Sequence, residues 1–463
     1  MYSGVNQKFR VKIWHVKSKL KKIAKNSGFS RAEILRYSNH RHQTTMSLSI
    51  ITRTNHVLFF ILGIWLLLVE FTFAIPIATW NSTLPSLPTN TLPGSPLVGN
   101  GYLGCMLTTE AWAVPFATAN GARGPGDDSL FSTHYFINSN GMWDIKQAAD
   151  AEHLGPTSTG TKIALGGLTI TSSLFSADDS SHSFEATQNI EIGMVTDIHR
   201  SKCGEIATTT TVHPTLNTMI LSTKFLPTPN PDPACTTNPV NFTISLWTFS
   251  QMQTQGGGLP PGQKTPLVFA TNAGSHFVSR RTGDNSPREV RAVLSAFTDI
   301  MDETDSDSEI IVSNSVKLAD DSNFISEFKT TISISANRPL AFTTKVALAD
   351  NVDQSPASTS IDDLTLQALE TAKNLNRDNL NRDNRDWWEG FWNASSISLP
   401  TQSKIERFYY GAQYILAISS PKNPNSPTPG LFGPFSSWDV NGWNGDYTLD
   451  YNFEATFYGA FSR

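Results

Sequence analysis

Apolar and polar residues alternate over much of the chain between about residues 97 and 349. Thr, Val and Ile are frequent there, and period-two stretches such as Thr331-Ile332-Ser333-Ile334-Ser335 are typical of β-strands. The clearest segments are separated by breaks of Gly, Pro, Asn and Asp, and they span residues 163–175, 184–198, 206–225, 240–249 and 328–348. Many strands without interleaved amphipathic helices predict an antiparallel β-sandwich.

The apolar spacing becomes helical from Ile361 onward. Leu366, Leu369 and Ala372 lie three residues apart, which predicts that they share the apolar face of a helix, with Leu375 as a further member. Residues 374–386 contain the near-repeat Asn-Arg-Asp-Asn twice, and we interpret this polar stretch as a solvated connector.

A second amphipathic helix is predicted past Pro400. It should pack on one side through its apolar residues, which are Ile405, Phe408, Tyr409, Ala412, Ile415 and Leu416. A third helix is predicted to begin near Tyr447.

Residues 57–69 form an unbroken apolar run near the N-terminus. This run is short for a membrane span of about 20 residues, and it suits the core of a signal peptide. Thr72-Phe73-Ala74 follows as a cleavage site, and a start at Met46 would give an ordinary signal sequence. The alternative is a signal anchor, with membrane anchoring through 57–69 and residues 1–55 in the cytoplasm. Both interpretations predict a body that is secreted, or extracellular or lumenal and membrane-anchored near its N-terminus.

The charge distribution separates the N-terminal arm from the rest of the chain. Residues 1–55 hold 12 Lys and Arg against Glu33 alone, and the remainder holds 23 basic and 39 acidic residues. The acidic excess of the body argues against a nucleic-acid partner. The ten His are scattered without a spaced ligand pair, so neither a metal nor a cofactor is predicted.

The chain has three cysteines, so at most one internal disulfide can form. Cys203 and Cys235 are the predicted pair, and Cys105 lies in an apolar stretch and should be a buried small hydrophobe. Three glycosylation triplets are compatible with export, and they begin at Asn81, Asn241 and Asn393.

Residues 96–106 read Pro-Leu-Val-Gly-Asn-Gly-Tyr-Leu-Gly-Cys-Met. Three glycines around Asn100 demand backbone freedom that side chains would block. The segment lacks the Lys and Ser/Thr of a phosphate-binding loop, which argues against nucleotide binding. Physical reasoning alone therefore favours a tight turn that enters a strand.

The C-terminal part is rich in aromatic residues, with five of the eleven tryptophans at or after Trp387. Core packing is the better interpretation for Trp387, Phe391 and Trp392. Trp438 and Trp443 lie in a loop rich in Gly, Asn and Asp, where aromatic rings beside carboxylates and amides suit the flat apolar faces and hydroxyl edges of sugars.

Acidic residues cluster in the same C-terminal loop. If residues 447–458 are helical, Asp446, Asp450 and Glu454 share one face at i, i+4 and i+8, and Asn452 lies two positions beyond Asp450. Such a row of carboxylates suits water activation, metal binding or sugar-hydroxyl recognition. The alternative is a solvated acidic face.

Together these segments resemble glycoside hydrolase family 95, the inverting alpha-L-fucosidases, within the six-hairpin glycosidase superfamily. Residues 96–106 are similar to the family's Pro-Leu-Gly-Asn-Gly-x-Leu-Gly-Ala-Met signature, with Val98 as an extra residue and Cys105 in place of Ala. Tyr410, Gln413 and the Gly-Leu-Phe-Gly of residues 430–433 also fit. Residues 443–452 resemble the family's Trp-x-x-Asp-Tyr-x-x-Asn-x-Asn.

The resemblance implies roles for the residues of this last motif. Asn452 matches the second of two amides that hold the attacking water, and Asp450 replaces the first and could itself be a base. Both are therefore the predicted catalytic residues. The predicted substrate-binding residues are Trp438, Trp443, Asp446, Tyr447 and Glu454. Thr448 replaces a His that contacts sugar in the family, so fucose specificity stays open.

The resemblance also implies the domain order and the function. The expected fold is mainly β, an antiparallel sandwich followed by the truncated start of an α/α toroid (a six-hairpin barrel). The expected segments are a basic arm plus signal segment at 1–74, a linker at 75–96, the sandwich at 97–355, a helical linker at 356–400 and an incomplete (α/α)6 catalytic domain at 401–463.

The expected function is that of an N-terminal fragment of a secreted glycoside hydrolase that acts on terminal sugars of extracellular glycans. The mechanism would be inverting, with an acid and a base on opposite sides of the bond. The family's downstream Glu and Asp would lie beyond residue 463, so the chain is expected to be inactive alone. The alternatives are a non-catalytic carbohydrate-binding or adhesion protein and a glycoside phosphorylase on the same architecture.

Overall fold

The computed structural model describes most of the chain between residues 75 and 462. The described residues are 75, 77–80, 95–109, 130–144, 161–176, 179–229, 233–236, 239–249, 268–270, 275–281, 290–301, 310–317, 325–352, 360–421, 426–436, 445, 447 and 451–462. The predicted basic arm and signal segment at 1–74 lie outside them. None of the helices in these ranges is both long and apolar enough to cross a bilayer.

Strands dominate the described part of the chain up to residue 350. They are β1 (Ile77–Trp80), β2 (Leu97–Gly99), β3 (Leu103–Thr108), β4 (Leu130–Ser139), β5 (Trp143–Asp144), β6 (Thr161–Lys162), β7 (Gly166–Ser176), β8 (Ser183–Asn189), β9 (Met194–Ser201), β10 (Gly204–Val212), β11 (Thr218–Pro227), β12 (Val240–Phe249), β13 (Val268–Ala270), β14 (Ser275–Arg281), β15 (Arg291–Met301), β16 (Ile311–Lys317), β17 (Ile325–Ile334) and β18 (Leu340–Asp350).

The described strands form two large antiparallel sheets. One has nine strands in the order β1-β8-β9-β10-β11-β18-β15-β14-β13, and the other has seven in the order β16-β17-β12-β7-β4-β3-β2. Strands β5 and β6 form a separate pair. The main core lies between the sheets, where Ile206 and Leu221 of one meet Tyr135 and Phe242 of the other. The predicted antiparallel sandwich is confirmed.

Strand β10 shows how the sequence produces this architecture. Its residues Gly-Glu-Ile-Ala-Thr-Thr-Thr-Thr-Val alternate strictly between buried and half-buried positions. Because successive side chains of a strand point to opposite faces, Ile206, Thr208, Thr210 and Val212 are turned to the core. The remaining hydroxyls are left on the outer face of the sheet.

The described helices are mostly C-terminal to the strands. They are α1 (Pro233–Thr236), α2 (Ile361–Asn374), α3 (Arg377–Ala394), α4 (Ser403–Ser419) and α5 (Tyr451–Thr456), followed by a 3₁₀ helix (Tyr458–Ser462).

Helix α2 covers the outer face of the nine-stranded sheet. Its buried residues Leu364 and Ala368 pack with Phe277, Val293 and Ala347 of the sheet. The predicted helix is therefore confirmed, and of its predicted face Leu369 is buried whereas Leu366 is not. Leu366 is 57% exposed, because the buried stripe begins two residues earlier in the helix.

Helix α3 contains most of the polar segment at 374–386 that we interpreted as a solvated connector, and most of its described side chains are exposed. It also has a packed side. Leu380 and Asn384 are buried, and Asn384 Nδ2 donates to the carbonyl of Ile192 at 2.7 Å. Trp392 Nε1 donates to the carbonyl of Glu191 at 3.0 Å. One side of the polar repeat thus packs on the β8–β9 turn, while the other side faces solvent.

Helix α4 is present as predicted, but it packs through a different face. Ile405, Phe408 and Ile415 are 55%, 78% and 37% exposed, respectively. The buried residues are Tyr410, Gln413, Tyr414, Ala417 and Ile418. A hydropathy argument misses polar aromatic and amide groups, because their burial depends on hydrogen bonds that the sequence does not display.

The cysteine predictions are confirmed. Cys203 and Cys235 form a disulfide with their Cα atoms 5.4 Å apart, and it ties the β9–β10 turn to α1. Cys105 is a buried free thiol, and burial raises its pKa. Of the three glycosylation triplets, Asn241 is half-buried in β12 and Asn393 is exposed on α3, while Asn81 lies outside the described residues.

Candidate functional site

The glycine-rich segment at 96–106 is the hairpin that joins β2 to β3, in agreement with the predicted tight turn. The side chain of Asn100 forms the hydrogen bonds that hold this turn. Its Oδ1 accepts hydrogen bonds from the backbone of Tyr102 and Leu103 at 3.0 and 2.9 Å. Its Nδ2 donates to the carbonyls of His213 and Leu216 at 3.1 and 3.0 Å. The asparagine therefore fixes the turn and ties it to the nine-stranded sheet.

The glycines of this hairpin let the C-terminal end of α4 come into backbone contact with it. Gly101 has φ +90° and donates from its backbone to the carbonyl of Ile418 at 2.8 Å. A Cβ on Gly101 would overlap the backbone of Ser420, and one on Gly104 would lie 2.5 Å from the carbonyl oxygen of Pro434. The motif thus joins the sandwich to the helical part of the chain.

Side chains of α4 complete this junction. The hydroxyl of Tyr414 donates to the carbonyl of Leu97 at 2.7 Å, where Gln188 Nε2 also donates. Burial raises the pKa of the Tyr414 phenol. The hydroxyl of Tyr410 donates to the carbonyl of Ile397 at 2.8 Å, and Gln413 Nε2 donates to the carbonyl of Gly459 at 3.2 Å. The two family-like residues of α4 are therefore structural.

Tyr447 links the acidic C-terminal segment to the sandwich. Its ring stacks on Trp143 of β5, with centroids 5.5 Å apart and an interplanar angle of 17°. Its hydroxyl donates to the carbonyl of Thr428 at 2.9 Å, and burial raises the pKa of this phenol. A predicted substrate-binding residue is thus positioned by an aromatic residue of the sandwich.

The turn between β4 and β5 supports this stack. Asn140 Nδ2 donates to the carbonyl of Pro427 at 2.6 Å, and Trp143 Nε1 donates to the carbonyl of Asn140 at 2.8 Å. Lys162 Nζ lies 5.1 Å from the centre of the Trp143 ring and donates to the carbonyl of Ser139 at 2.7 Å. The indole therefore contacts the Lys162 amino group, the backbone of the turn and the Tyr447 ring.

A buried carboxylate lies behind this turn. Asp350 accepts hydrogen bonds from the hydroxyls of Tyr102 at 2.6 Å and Ser139 at 2.8 Å. Burial lowers the pKa of Lys162 well below its usual range, and the negative charge of Asp350 opposes this shift. The carboxylate connects the glycine hairpin to the β4–β5 turn, so both ends of the candidate site share one polar support.

The remaining predicted site residues lie partly outside the described residues. This holds for Trp438, Trp443, Asp446 and Asp450, and for the side chain of Asn452 in α5. Glu454 of α5 is exposed. The structure therefore brings Tyr447 to the sandwich but does not test whether the predicted acidic and amide groups meet there.

The predicted helix at 447–458 is shorter than expected. Tyr447 precedes it, and α5 runs only from Tyr451 to Thr456 before the chain turns into the 3₁₀ helix. Gly445, which has φ +64°, lies two residues before Tyr447. Asp446 and Asp450 lie outside the described residues, so the row of Asp446, Asp450 and Glu454 on one helix face stays a prediction.

A large groove lies on the exposed side of α4. Its volume is about 1010 Å³, and its walls include Phe408, Ala412 and Ile415 of α4, Leu431 and Phe457. Of the described residues that line it, Arg407 alone is charged. Its described lining is therefore mainly apolar.

The stack of Trp143 and Tyr447 was not foreseen from the sequence. The Asn140-Gly141 pair is a strong turn dipeptide that places a turn just before Trp143, but it does not indicate the partner of Trp143. No group of three or more His, Cys, Asp and Glu that could hold a metal occurs among the described residues. Chemically, the described part of the site offers aromatic faces and amides, which suit sugar binding.

Comparisons with known proteins give no match to a family model and none to a curated protein. Three solved structures are similar in part. They are a kojibiose phosphorylase from the human microbiome (13% identity, 78% of this chain and 43% of that chain, TM-score 0.49), a bacterial glucoamylase complexed with acarbose (12%, 74% and 44%, 0.34) and a family GH92 alpha-mannosidase from Bacteroides thetaiotaomicron (9%, 75% and 42%, 0.30).

All three of these proteins are carbohydrate-active enzymes by description, and the chain spans less than half of each. Each TM-score lies below 0.5, so the function has to be argued from the residues of this chain.

Proposed function

We propose that the chain is part of a secreted glycoside hydrolase that removes terminal sugars from extracellular glycans by an inverting acid/base mechanism. The substrate class nearest to its motifs is an alpha-L-fucoside. Asp450 and Asn452 would hold and activate the attacking water, and the helices that follow the sandwich would begin an α/α toroid.

The stack of Tyr447 on Trp143 carries this proposal. It places Tyr447, a residue of the family-like motif, against the sandwich. The stack lies next to the β4–β5 turn, where Asn140 donates to the carbonyl of Pro427. The glycine hairpin that resembles the family signature shares Asp350 with the same turn. Two motifs that lie more than 300 residues apart in the sequence thus both contact the β4–β5 region, one through Asp350 and the other through Trp143.

A binding experiment on the full chain tests the proposal. We expect 2′-fucosyllactose, but not lactose, to quench tryptophan fluorescence with saturation. Tyr447→Ala should weaken binding by about tenfold, because a sugar–aromatic contact contributes on the order of 1 kcal/mol or more. The comparison is Tyr458→Ala, since Tyr458 is 52% exposed and its ring contact is with Tyr451. Unchanged binding by Tyr447→Ala, or no response to any glycan in a panel, would refute the proposal.

Product analysis separates hydrolysis from the alternatives. The resemblance assigns the proton donor to a Glu outside this sequence, so we expect binding without release of sugar. Release of the inverted anomer by the full chain would show that the donor lies within residues 1–463. Release of a sugar 1-phosphate only when inorganic phosphate is added would instead identify a phosphorylase.

A further inference from the structure

A second, polar pocket lies between the outer face of the nine-stranded sheet and α3. Its volume is about 300 Å³. It shares no lining residue with the Trp143–Tyr447 site, so a ligand bound here would be independent of the proposed function. Its polar lining residues are Thr209, Thr211, Ser222, Lys224, Asn381, Asn384 and Arg385.

The floor of this pocket consists of hydroxyl groups on two paired strands. Thr209 and Thr211 alternate on the outer face of β10, and Ser222 of β11 lies directly opposite Thr209. Lys224 follows Ser222 on the same face, opposite Ala207. The side chains of Thr209, Ser222 and Ala207 are small. They leave room for the ring of a ligand to lie against the sheet.

One wall of the pocket is a helix face of α3. Asn381, Asn384 and Arg385 also line the pocket, and their spacing of three and four residues places them on one side of the helix. Asn384 is only 7% exposed, and its Nδ2 is engaged with the carbonyl of Ile192. Its Oδ1 is buried and has no hydrogen-bond partner among the described residues.

The charged residues among the described lining of the pocket are all basic. Lys224 and Arg385 line it, and no Asp or Glu is among the described residues that do. Neither cation forms an ion pair with a described residue, whereas neighbouring Arg382 contacts Asp383 at 3.4 Å. Arginine and lysine groups that converge on hydroxyls and amides recognise a carboxylate, phosphate or sulfate attached to a polyol.

We propose that this pocket binds a monosaccharide that carries one anionic group. The anion lies between Lys224 and Arg385, and the ring hydroxyls meet Thr209, Thr211 and Ser222. The volume is at the small end of ligand pockets, so it fits one sugar ring and not an extended oligosaccharide. A ligand of this size in an open pocket should bind with a dissociation constant of about 1 mM.

Calorimetric titration of the full chain tests this proposal with four probes. These are glucuronate, glucose 6-phosphate, glucose and inorganic phosphate. We expect one or both anionic sugars to bind about tenfold or more tightly than glucose, because a charge-assisted hydrogen bond contributes at least that much. Glucuronate against glucose 6-phosphate decides between carboxylate and phosphate. Equal binding of inorganic phosphate and the anionic sugars would overturn the proposal, because the hydroxyl floor would then have no role.

Variants locate the binding to the pocket. Arg385→Gln and Lys224→Gln should each weaken binding of the preferred sugar about tenfold, and Thr209→Val should weaken it without a change of shape. Lys317→Gln, on exposed β16, is the matched charge control and should bind normally. Circular dichroism verifies that each variant is folded. Full binding by the Lys224→Gln, Arg385→Gln double variant, or no binding of either anionic sugar by the unmodified chain, would overturn the proposal.

Discussion

At the scale of single residues, Gly101 shows most clearly why the hairpin at 96–106 needs its composition. The residue combines a positive φ of 90° with backbone contact to Ser420 of the helical part. A left-handed conformation costs an ordinary residue on the order of 1 kcal/mol, and overlap with backbone cannot be relieved by a rotamer change. The positive φ and the close contact with Ser420 therefore both require glycine at position 101.

Gly101→Ala should lower the free energy of unfolding by about 3 kcal/mol, because strain and steric overlap act together. Urea denaturation followed by tryptophan fluorescence measures this. The control is Gly390→Ala in α3, where an added Cβ meets nothing within 4 Å. That change should raise stability by about 0.5–1 kcal/mol, since alanine is the better helix former. Similar effects at both positions would contradict this explanation.

At the scale of elements, α4 contacts the hairpin through a backbone hydrogen bond and through the buried hydroxyl of Tyr414. Tyr414→Phe should lower the free energy of unfolding by about 1 kcal/mol, the usual net contribution of a hydrogen bond. The loss stays small because Leu97 still accepts from Gln188 at 2.7 Å. Tyr458→Phe, at an exposed position, is the comparison and should be neutral. A Tyr414→Phe variant as stable as the parent would show that the phenol contributes only its ring.

The strands could be predicted from the sequence, whereas the helix faces could not. Strands such as β10 carry a period of two that is visible in the Thr and Ile positions. In α4 the buried side contains Tyr410, Gln413 and Tyr414, whose polar atoms are satisfied by backbone carbonyls far away in the sequence. Hydropathy counts these residues as solvent-facing, so the prediction chose the opposite side.

The candidate site was predictable only in part, for a similar reason. Tyr447 was found from its motif, but its partner Trp143 lies about 300 residues earlier and outside any motif. The helix predicted over residues 447–458 is observed only from Tyr451 to Thr456, because carboxylate spacing alone does not determine where a helix begins and ends. Contacts between residues far apart in the sequence are determined by the fold. Local sequence patterns do not reveal them.

At the scale of the whole molecule, buried histidines make stability depend on pH. Burial lowers the pKa of His134 and His199 to about 3 and that of His276 to about 4. Since the unfolded chain takes up protons near pH 6.5 and the folded chain does not, acid favours unfolding from about pH 6.5 downward. Asp197 acts in the opposite direction. Burial raises its pKa to about 7, so its contribution to stability is lost as pH rises from about 4 to 7.

The free energy of unfolding should therefore fall between pH 6.5 and 4, because three histidines outweigh one aspartate. His134→Gln should make this fall shallower by on the order of 3 kcal/mol, and Asp197→Asn should make it steeper. Denaturant titrations at half-unit pH steps measure both slopes. Parallel slopes for the parent and the two variants would contradict the assignment.

The outward side of α4 has a practical consequence for anyone handling this protein. Phe408 and Ile405 meet solvent with more than half of their surface, beside the groove of about 1010 Å³. We expect this exposed apolar surface to bind apolar dyes, chaperones and plastic surfaces with little selectivity. Mild detergent during purification should reduce aggregation of the chain. A charged side chain in place of Phe408 should do the same, without a change in the hairpin or in its contact with Asp350.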